Sequence, residues 1–260
     1  MRLNSITPLN IASLIDRKIN QFTMKYLMKD EKISHISMFH RLNVDGNVTG
    51  NQNDCRLEDF INYIDYCKSK GFDFISIDNL ISMDPLVACY KKAVITFDDG
   101  WKSVYTVAFK ELNKRRIPFI CFIVSSFIDK DGFITKKELF EMSQNSLCTI
   151  GLHSDQHIFW RGRKSSELIE DYLKCKRIVT NIIGYEPKYY AFPYGSFYAV
   201  SSKNIKTIKN IAPKAIFLTA QRKLRKRDIE YPLRGMPRLD IAGYYRHAYK
   251  SEYKGLHIGN

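Results

Sequence analysis

Residues 93–101 read AVITFDDGW, in which a short apolar and β-branched run ends in two adjacent aspartates, Asp98 and Asp99. A run of this length and composition predicts a buried β-strand. Two neighbouring carboxylates at the end of such a strand repel each other and lose their hydration, and a bound cation removes this penalty. The stretch therefore indicates a functional site at a strand end. The alternative interpretation is that Asp98 or Asp99 caps a helix that begins near Trp101.

Six further short runs have the same strand-like character. They are HISMFH (35–40), FDFISI (72–77), FICFIV (119–124), CTIGL (148–152), YYAF (189–192) and AIFLT (215–219). Apolar residues with helical spacing lie between several of them, as in residues 57–67 and 168–182. Strands that alternate with helices indicate parallel pairing around a buried sheet or barrel. We therefore expect an α/β fold with one main domain over residues 35–260.

Residues 1–34 precede the first predicted strand, and their sequence pattern is compatible with more than one arrangement. The apolar positions of residues 9–28 fit one amphipathic helix. We expect a helical extension packed on the outside of the main domain, and a helix lying on a membrane surface is the alternative.

The chain of 260 residues carries 41 Lys+Arg against 27 Asp+Glu, a formal charge of +14. Such a field attracts anions, which include phosphorylated glycans and anionic lipid headgroups. We do not expect nucleic acid as a partner, because no helix-turn-helix, zinc-finger or RNP-like pattern occurs. The densest basic run, RKLRKR (222–227), is expected to be an exposed connection, either merely solvated or in contact with a membrane surface or an anionic substrate.

Cysteine usage and hydropathy bear on the compartment. The six cysteines form no CxxC pair and lie mostly in apolar runs, which favours a reducing environment. Neither a signal-peptide pattern nor an apolar stretch of about 18 residues is recognisable. We expect a cytoplasmic protein, and peripheral contact with the inner membrane surface is compatible with its charge.

A second polar cluster, HSDQH (153–157), follows the predicted strand CTIGL. His153 and His157 are four residues apart, so a helical or tight turn would bring both imidazoles to one side, as in shared metal sites. Together with a carboxylate from FDDG, two neutral nitrogens leave positions open for water and substrate, which is typical of catalytic sites. This donor set suits one divalent metal ion such as zinc, and also cobalt, nickel or iron.

Three segments, TFDDG (96–100), HSDQH (153–157) and AFPYG (191–195), resemble in order the first three motifs of the polysaccharide deacetylases. This family is also called carbohydrate esterase family four, or the NodB homology domain. With MFHRL (38–42) and MPRLD (236–240), the resemblance covers residues 35–240. It implies a distorted (β/α)7 barrel and hydrolysis of an N-acetyl group on an amino sugar. The form of the third motif is similar to the branch that acts in surface polysaccharide biosynthesis, of capsule or lipopolysaccharide.

The resemblance also implies roles for individual residues. It makes Asp98 the catalytic base, and it makes Asp99, His153 and His157 the ligands of the metal. It also implies that Pro193 and Tyr194 line the substrate groove. We expect an acetylated amino sugar as the substrate, and its carrier is phosphorylated or lipid-linked if the positive charge of the chain serves substrate binding.

The sequence departs from the family pattern in two places. The arginine that often precedes the third motif is absent, and Arg238 in MPRLD is our candidate to orient Asp98, with an ordinary surface arginine as the alternative. The general acid is open among three histidines, of which His40, at the end of the first strand, is preferred over His247 and His257. An inactive NodB-like module that binds glycans or anions is the alternative to an enzyme, and another C–N bond as target is a third reading.

Overall fold

The computed structural model describes residues 32–44, 54–211 and 213–242. The predicted helical extension lies almost wholly outside these ranges, and so do His247 and His257. The predictions for those parts of the chain stay predictions. Within the three ranges, none of the helices combines the length and the apolar character needed to cross a bilayer.

The described residues contain eleven β-strands, which we number in chain order. They are β1 (His35–Phe39), β2 (Arg41–Asn43), β3 (Asp54–Arg56), β4 (Asp73–Phe74), β5 (Lys92–Phe97), β6 (Phe119–Ile123), β7 (Cys148–Leu152), β8 (Tyr189–Ala191), β9 (Ala215–Leu218), β10 (Met236–Pro237) and β11 (Leu239–Asp240). The strands β2 and β3 form a separate parallel pair, and the other nine belong to one sheet.

Helices connect most of these strands. The α-helices are Leu57–Ser69, Ile77–Ser82, Pro85–Ala88, Lys110–Arg115, Lys136–Ser143, Ser165–Ile183, Ser202–Lys209 and Lys226–Glu230. A π-helical stretch, Val104–Phe109, runs directly into the fourth of them, and Ser125–Phe127 and Pro232–Arg234 are 3-10 turns. The predicted capping box is confirmed, because Thr135 Oγ1 accepts the backbone N–H of Glu138 and Glu138 accepts that of Thr135.

The main sheet closes on itself through one short segment. Its strand order is β10-β9-β8-β7-β6-β5-β1-β11, and all of the pairings are parallel. Only Arg238 separates β10 from β11, so residues 236–240 pair with β9 through their first half and with β1 through their second half. These residues, with the other six strands of the order, form a nearly closed ring. The predicted α/β barrel with seven strand positions is confirmed.

One of the seven predicted strands does not belong to the ring. Of FDFISI, only Asp73 and Phe74 pair, and they do so with the start of β5, outside the ring. Ser76 then caps the helix Ile77–Ser82 by accepting the backbone N–H of Asn79, which ends the extended conformation. The seventh position is instead filled by residues 236–240, which the sequence did not predict to be a strand.

Alternate strand residues fill two apolar clusters on opposite faces of the sheet. One cluster includes Phe97, Cys121 and Ile150 and packs against the helices Leu57–Ser69 and Ser165–Ile183. The other is enclosed by the ring. Its strand members are Ile36, Val94, Ile120, Phe122, Tyr189, Ala191, Ala215, Phe217 and Met236. Burial on both faces fixes the strand register and therefore the positions of the loops that follow the strands.

The basic run 222–227 is only partly exposed, so the predicted exposed connection is wrong for its first half. Lys223 and Leu224 are buried, and Arg222 forms an ion pair with Asp228 (2.5 Å). Residues 225–227 are exposed at the start of the last helix. Leu224 packs into the enclosed apolar cluster, and the residues next to it therefore lie close to the interior.

Candidate metal centre and active site

The polar residues that end five strands meet at one end of the barrel, because parallel strands have their carboxyl ends on the same side. His40 follows β1, Asp98 and Asp99 follow β5, and Ser125 follows β6. His153 to His157 follow β7, and Pro193 to Gly195 lie just beyond β8. The structure thus brings the residues that were predicted for the site to one rim.

Asp99, His153 and His157 form a group whose ligand atoms all lie within 4.8 Å of one another. Asp99 Oδ1 is 3.1 Å from His157 Nε2 and 3.5 Å from His153 Nε2. Asp99 and His153 are buried, whereas His157 is partly exposed. One side of the group is therefore open to solvent.

Tight turns place these side chains. Asp99 and Gly100 both have positive φ angles (72° and 79°), which reverse the chain directly after β5. Ser154 and His157 also have positive φ angles (74° and 51°), so His153 to His157 form a turn and not a helix. Positive φ is unfavourable for non-glycine residues, and its clustering at this rim is typical of functional sites.

The imidazole of His153 has a defined orientation. Its Nδ1–H donates to the carbonyl oxygen of Ala191 (2.8 Å), so in the neutral ring Nε2 presents a lone pair towards Asp99. Burial lowers the pKa of His153 to about 4, although the charges of Asp98 and Asp99 act in the opposite direction. The ring is therefore neutral at pH 7, as a metal ligand must be.

The three ligands fit a divalent metal. Asp99 Oδ1 is buried and has no hydrogen-bond partner, although two imidazole nitrogens lie near it. Burial alone would raise the pKa of Asp99, but the nearby imidazoles of His157, His40 and His153 hold it well below its usual range. An ionised carboxylate that faces a neutral imidazole lone pair is unfavourable without a cation. One carboxylate and two imidazoles are a donor set of zinc enzymes, in which water takes a remaining position.

Asp98 points towards this group and is held by Arg238. The guanidinium donates Nη1–H to Oδ1 (2.6 Å) and Nη2–H to Oδ2 (2.7 Å), and both residues are buried. Asp98 Oδ2 also lies 3.6 Å from His153 Nε2. The candidate role of Arg238 in orienting Asp98 therefore agrees with its position, and the alternative of an ordinary surface arginine is wrong.

The environment keeps Asp98 ionised. Burial by itself would raise the pKa of this carboxyl, but the charge of Arg238, followed by that of His153, lowers it overall. Thr96 Oγ1 accepts a further N–H of Arg238 (3.3 Å), and the guanidinium lies 5.3 Å from the ring centre of Phe122. The arginine is thus fixed on several sides.

His40 lies at the same rim, with intermediate exposure. Its charge acts on both Asp98 and Asp99, which places the imidazole near the two carboxylates. Its Nδ1 is buried and has no hydrogen-bond partner. Within the described part of the chain, no group is therefore hydrogen-bonded to this nitrogen.

Aromatic rings run in an unbroken series across the site. Successive ring centres are 4.4 Å apart for Trp101–Phe133, 4.6 Å for Phe133–Phe127, 5.7 Å for Phe127–His157, 4.9 Å for His157–Tyr194 and 4.1 Å for Tyr194–Phe159. Tyr194 and Phe159 stack almost in parallel and are 47% and 42% exposed. Of the predicted pair that lines the groove, Tyr194 presents its side chain to solvent, whereas Pro193 is buried.

Sequence reasoning missed two features of this rim. Phe159 carried no motif, because it lies two residues beyond HSDQH. Asp171, on the helix Ser165–Ile183, accepts hydrogen bonds from the turn that carries the two histidines. Its signal was an aspartate among the apolar residues of a helix face, beside Leu168, Tyr172 and Cys175.

The comparisons with known proteins agree with the geometry. A family model described as polysaccharide deacetylase matches residues 88–210. The poly-beta-1,6-N-acetyl-D-glucosamine N-deacetylase of Staphylococcus aureus is 28% identical over 150 residues, which is 52% of each chain. The enzyme of that name from Staphylococcus epidermidis is 26% identical over 166 residues, 58% of this chain and 56% of that one. The chain spans about half the length of the curated relatives it matches.

Solved structures agree in fold. IcaB from Ammonifex degensii has a TM-score of 0.63 at 22% identity, covering 73% of this chain and 84% of that one. The deacetylase PplD of Streptococcus pyogenes has a TM-score of 0.69 at 17% identity, covering 82% and 93%. The family model thus matches the part of the chain that carries the two aspartates and the two histidines, and these solved structures share the barrel fold.

Proposed function

We propose that this protein is a metal-dependent deacetylase, which hydrolyses the N-acetyl group of an amino sugar within a glycan. One observation carries the proposal. The buried carboxylate of Asp98, held ionised by Arg238, lies beside one carboxylate oxygen and two imidazole nitrogens that together can hold a metal ion. A base next to a cation site is the arrangement that hydrolysis of an amide requires.

The residues have separate tasks in this proposal. Asp99, His153 and His157 hold the metal, which when bound polarises the acetyl carbonyl group and lowers the pKa of water. Asp98 accepts the proton of the attacking water, since each carboxylate oxygen keeps a free lone pair beside its bond to Arg238. Arg238 keeps Asp98 charged and fixes its orientation through the bidentate pair.

The later steps involve the rest of the rim. The developing oxyanion needs a donor, for which we propose the backbone N–H of Tyr194. The departing amine needs a proton, for which we propose His40, because it follows β1 at the same rim and lies near both aspartates. Acetate and a free amino group are the products.

The aromatic series supports a glycan as substrate. Sugar rings present apolar C–H faces, and exposed aromatic rings such as Tyr194 and Phe159 offer flat surfaces on which these faces pack. The names of the curated relatives support a beta-1,6-linked N-acetylglucosamine polymer. The predictions of a phosphorylated or lipid-linked carrier, an anionic membrane contact and a cytoplasmic location have the charge and the sequence pattern as their support.

The absence of an arginine before Pro193 is an argument for the alternative interpretation, an inactive binding module. Arg238 supplies a guanidinium to Asp98 from another part of the barrel, so this argument no longer favours an inactive protein. A binding module also has no need for an ionised base beside a cation site. The geometry therefore supports the enzyme over the module.

Acetate release tests the proposal. The purified protein is incubated with beta-1,6-linked N-acetylglucosamine oligomers, with a nucleotide-linked N-acetyl sugar and with a lipid-linked one. We expect release from at least one of them, its loss after treatment with a chelator, and its return with zinc or cobalt. Tight binding of the oligomers without any release, with metal present, would support the inactive module and contradict the proposal.

A further inference from the structure

The carboxylate of Asp171 is buried beneath the turn that carries the two histidines. Oδ2 accepts Ser154 Oγ–H (2.6 Å) and the backbone N–H of Asp155 (2.9 Å), and Oδ1 accepts the backbone N–H of Gln156 (2.9 Å). Asp171 is 3% exposed. All three donors lie between His153 and His157, so one side chain of a neighbouring helix fixes the whole turn.

The two histidines are anchored differently. His153 is tied to strands, because its backbone N–H donates to Ile123 (2.8 Å) and its Nδ1–H donates to Ala191 (2.8 Å). The backbone N–H of His157 donates to Ser154 Oγ (3.3 Å), and this hydroxyl in turn donates to Asp171. The position of His157 therefore depends on Asp171, whereas that of His153 depends on the sheet.

The conformation of the turn needs such support. Ser154 and His157 both adopt positive φ angles, which non-glycine residues keep only when the surroundings enforce them. Three hydrogen bonds to a carboxylate, which are stronger than neutral ones, provide this enforcement. A second tie acts one helical turn further on, where Lys174 pairs with Asp155 (2.7 Å), which also accepts Ser125 Oγ–H (2.6 Å).

We infer that Asp171 is a positioning residue, which holds His157 ready for the metal by fixing the turn from Ser154 to Gln156. The inference rests on the proposed metal site. Asp171 acts on the metal-ligand residue indirectly, through the Ser154 hydroxyl and the backbone of the turn. Residues that orient metal ligands in this way commonly change metal affinity by about 10- to 100-fold when they are replaced.

The substitution Asp171→Asn tests this role with little change in shape. An amide has one acceptor oxygen, so its NH2 group must face either the Gln156 N–H or the two donors on the other side. We expect zinc affinity, measured by competition with a chelator, to fall by about 10- to 100-fold. With saturating cobalt, the visible absorption spectrum should change, because the ligand geometry differs.

The matched control is Glu170→Gln, which removes the same charge from the neighbouring, exposed position of the helix. We expect its zinc affinity and its cobalt spectrum to equal those of the unmodified protein. A purely structural role of Asp171 would lower the melting temperature of the metal-free protein but leave the spectrum of the cobalt-loaded protein unchanged. That result, or unchanged zinc affinity in Asp171→Asn, would overturn the inference.

A second variant covers the case in which Asp171→Asn does not fold. Ser154→Ala keeps both backbone hydrogen bonds to Asp171 and removes the hydroxyl that links it to His157. We expect weaker zinc binding here too, and equal binding in Ser154→Ala would then overturn the inference. If the unmodified protein binds neither zinc nor cobalt, the metal site itself is refuted, and with it both proposals.

Discussion

Arg238 and Asp98 form a bidentate ion pair at the point where the barrel closes, with nitrogen–oxygen distances of 2.6 and 2.7 Å. Both side chains are buried, so water does not hydrate either charge and each charge is stabilised by the other. Removing one partner of a buried pair leaves an uncompensated charge. The free-energy cost of this charge exceeds the net stabilisation that the pair provides.

Arg238→Met should therefore lower the free energy of unfolding by about 3–5 kcal/mol. Urea denaturation of the metal-free protein measures this change. The double variant Asp98→Asn/Arg238→Met removes both charges and should be clearly less destabilised than the sum of the two single variants. Additive losses would show that the two residues do not form the coupled pair described above.

Asp98→Asn should separate metal binding from turnover. The amide cannot accept the proton of the attacking water, so we expect acetate release to fall by about 10²- to 10⁴-fold. The ligands are untouched, and metal analysis should still find one ion per chain. Full activity of this variant would refute the role of Asp98 as base.

His153→Ala and His157→Ala should lose the metal itself, because each removes one of three ligands. Elemental analysis after dialysis measures bound metal, with Asp98→Asn as the reference. Retention of a full equivalent of metal in both histidine variants would place the cation elsewhere.

Phe159→Ala should weaken the binding of a glycan chain with little effect on the chemical step. Phe159 stacks on Tyr194 at the edge of the site, 4.1 Å between ring centres, and belongs to none of the proposed catalytic groups. We expect KM for N-acetylglucosamine oligomers to rise several-fold while kcat stays nearly constant. This size of change follows because an aromatic contact contributes about 1 kcal/mol to binding. Phe140→Ala, at a similarly exposed ring on the helix Lys136–Ser143, is the control and should change neither constant. A fall in kcat alone would contradict a binding role.

His35, at the opposite end of β1 from the site, should make stability depend on pH. Burial, and then the charge of Lys223, lowers the pKa of His35 to about 3, and its Nε2 is hydrogen-bonded to Tyr63 Oη (2.7 Å). The unfolded chain takes up this proton near pH 6.5 whereas the folded protein does not, so stability is present above pH 6.5 and is lost as the pH falls below it.

The loss amounts to about 1.4 kcal/mol per pH unit between pH 6.5 and pH 3. The free energy of unfolding of each protein is measured by urea denaturation at pH 6.5 and at pH 5. Between these values it should fall by about 2 kcal/mol less in His35→Gln than in the unmodified protein. Equal pH dependence of the two proteins would mean that His35 is not buried in its neutral form.

Six of the seven ring positions were predictable from the sequence, because each holds a short apolar run that is buried on both faces. The closing segment was not, since Met236 to Asp240 contains a proline and an arginine and makes two short pairings with different strands. Residues 72–77 have strand-like composition, but the cap at Ser76 starts a helix instead. The composition of a segment predicts whether the segment is buried. It does not predict which strands pair with each other to close the barrel.

The site shows the same division. The grouping of Asp99, His153 and His157 was predictable because a metal site needs particular side chains at particular spacings. Asp171 and Phe159 act through the arrangement of the folded chain, by hydrogen bonds to backbone N–H groups and by ring stacking, which no local motif records. Arg238 lies between these cases, since its motif suggested a role and its contact with Asp98 follows only from closure of the barrel.

Closure of the ring by residues 236–240 has a consequence for the order of events during synthesis. The ribosome makes Asp98, and later His153 and His157, well before it reaches Arg238, which lies 140 positions after its carboxylate partner. Until that last segment has emerged, the growing chain has a gap between β9 and β1 and an aspartate without its guanidinium. In the nascent protein, Asp98 can therefore be paired with Arg238 only in the step that also completes the barrel.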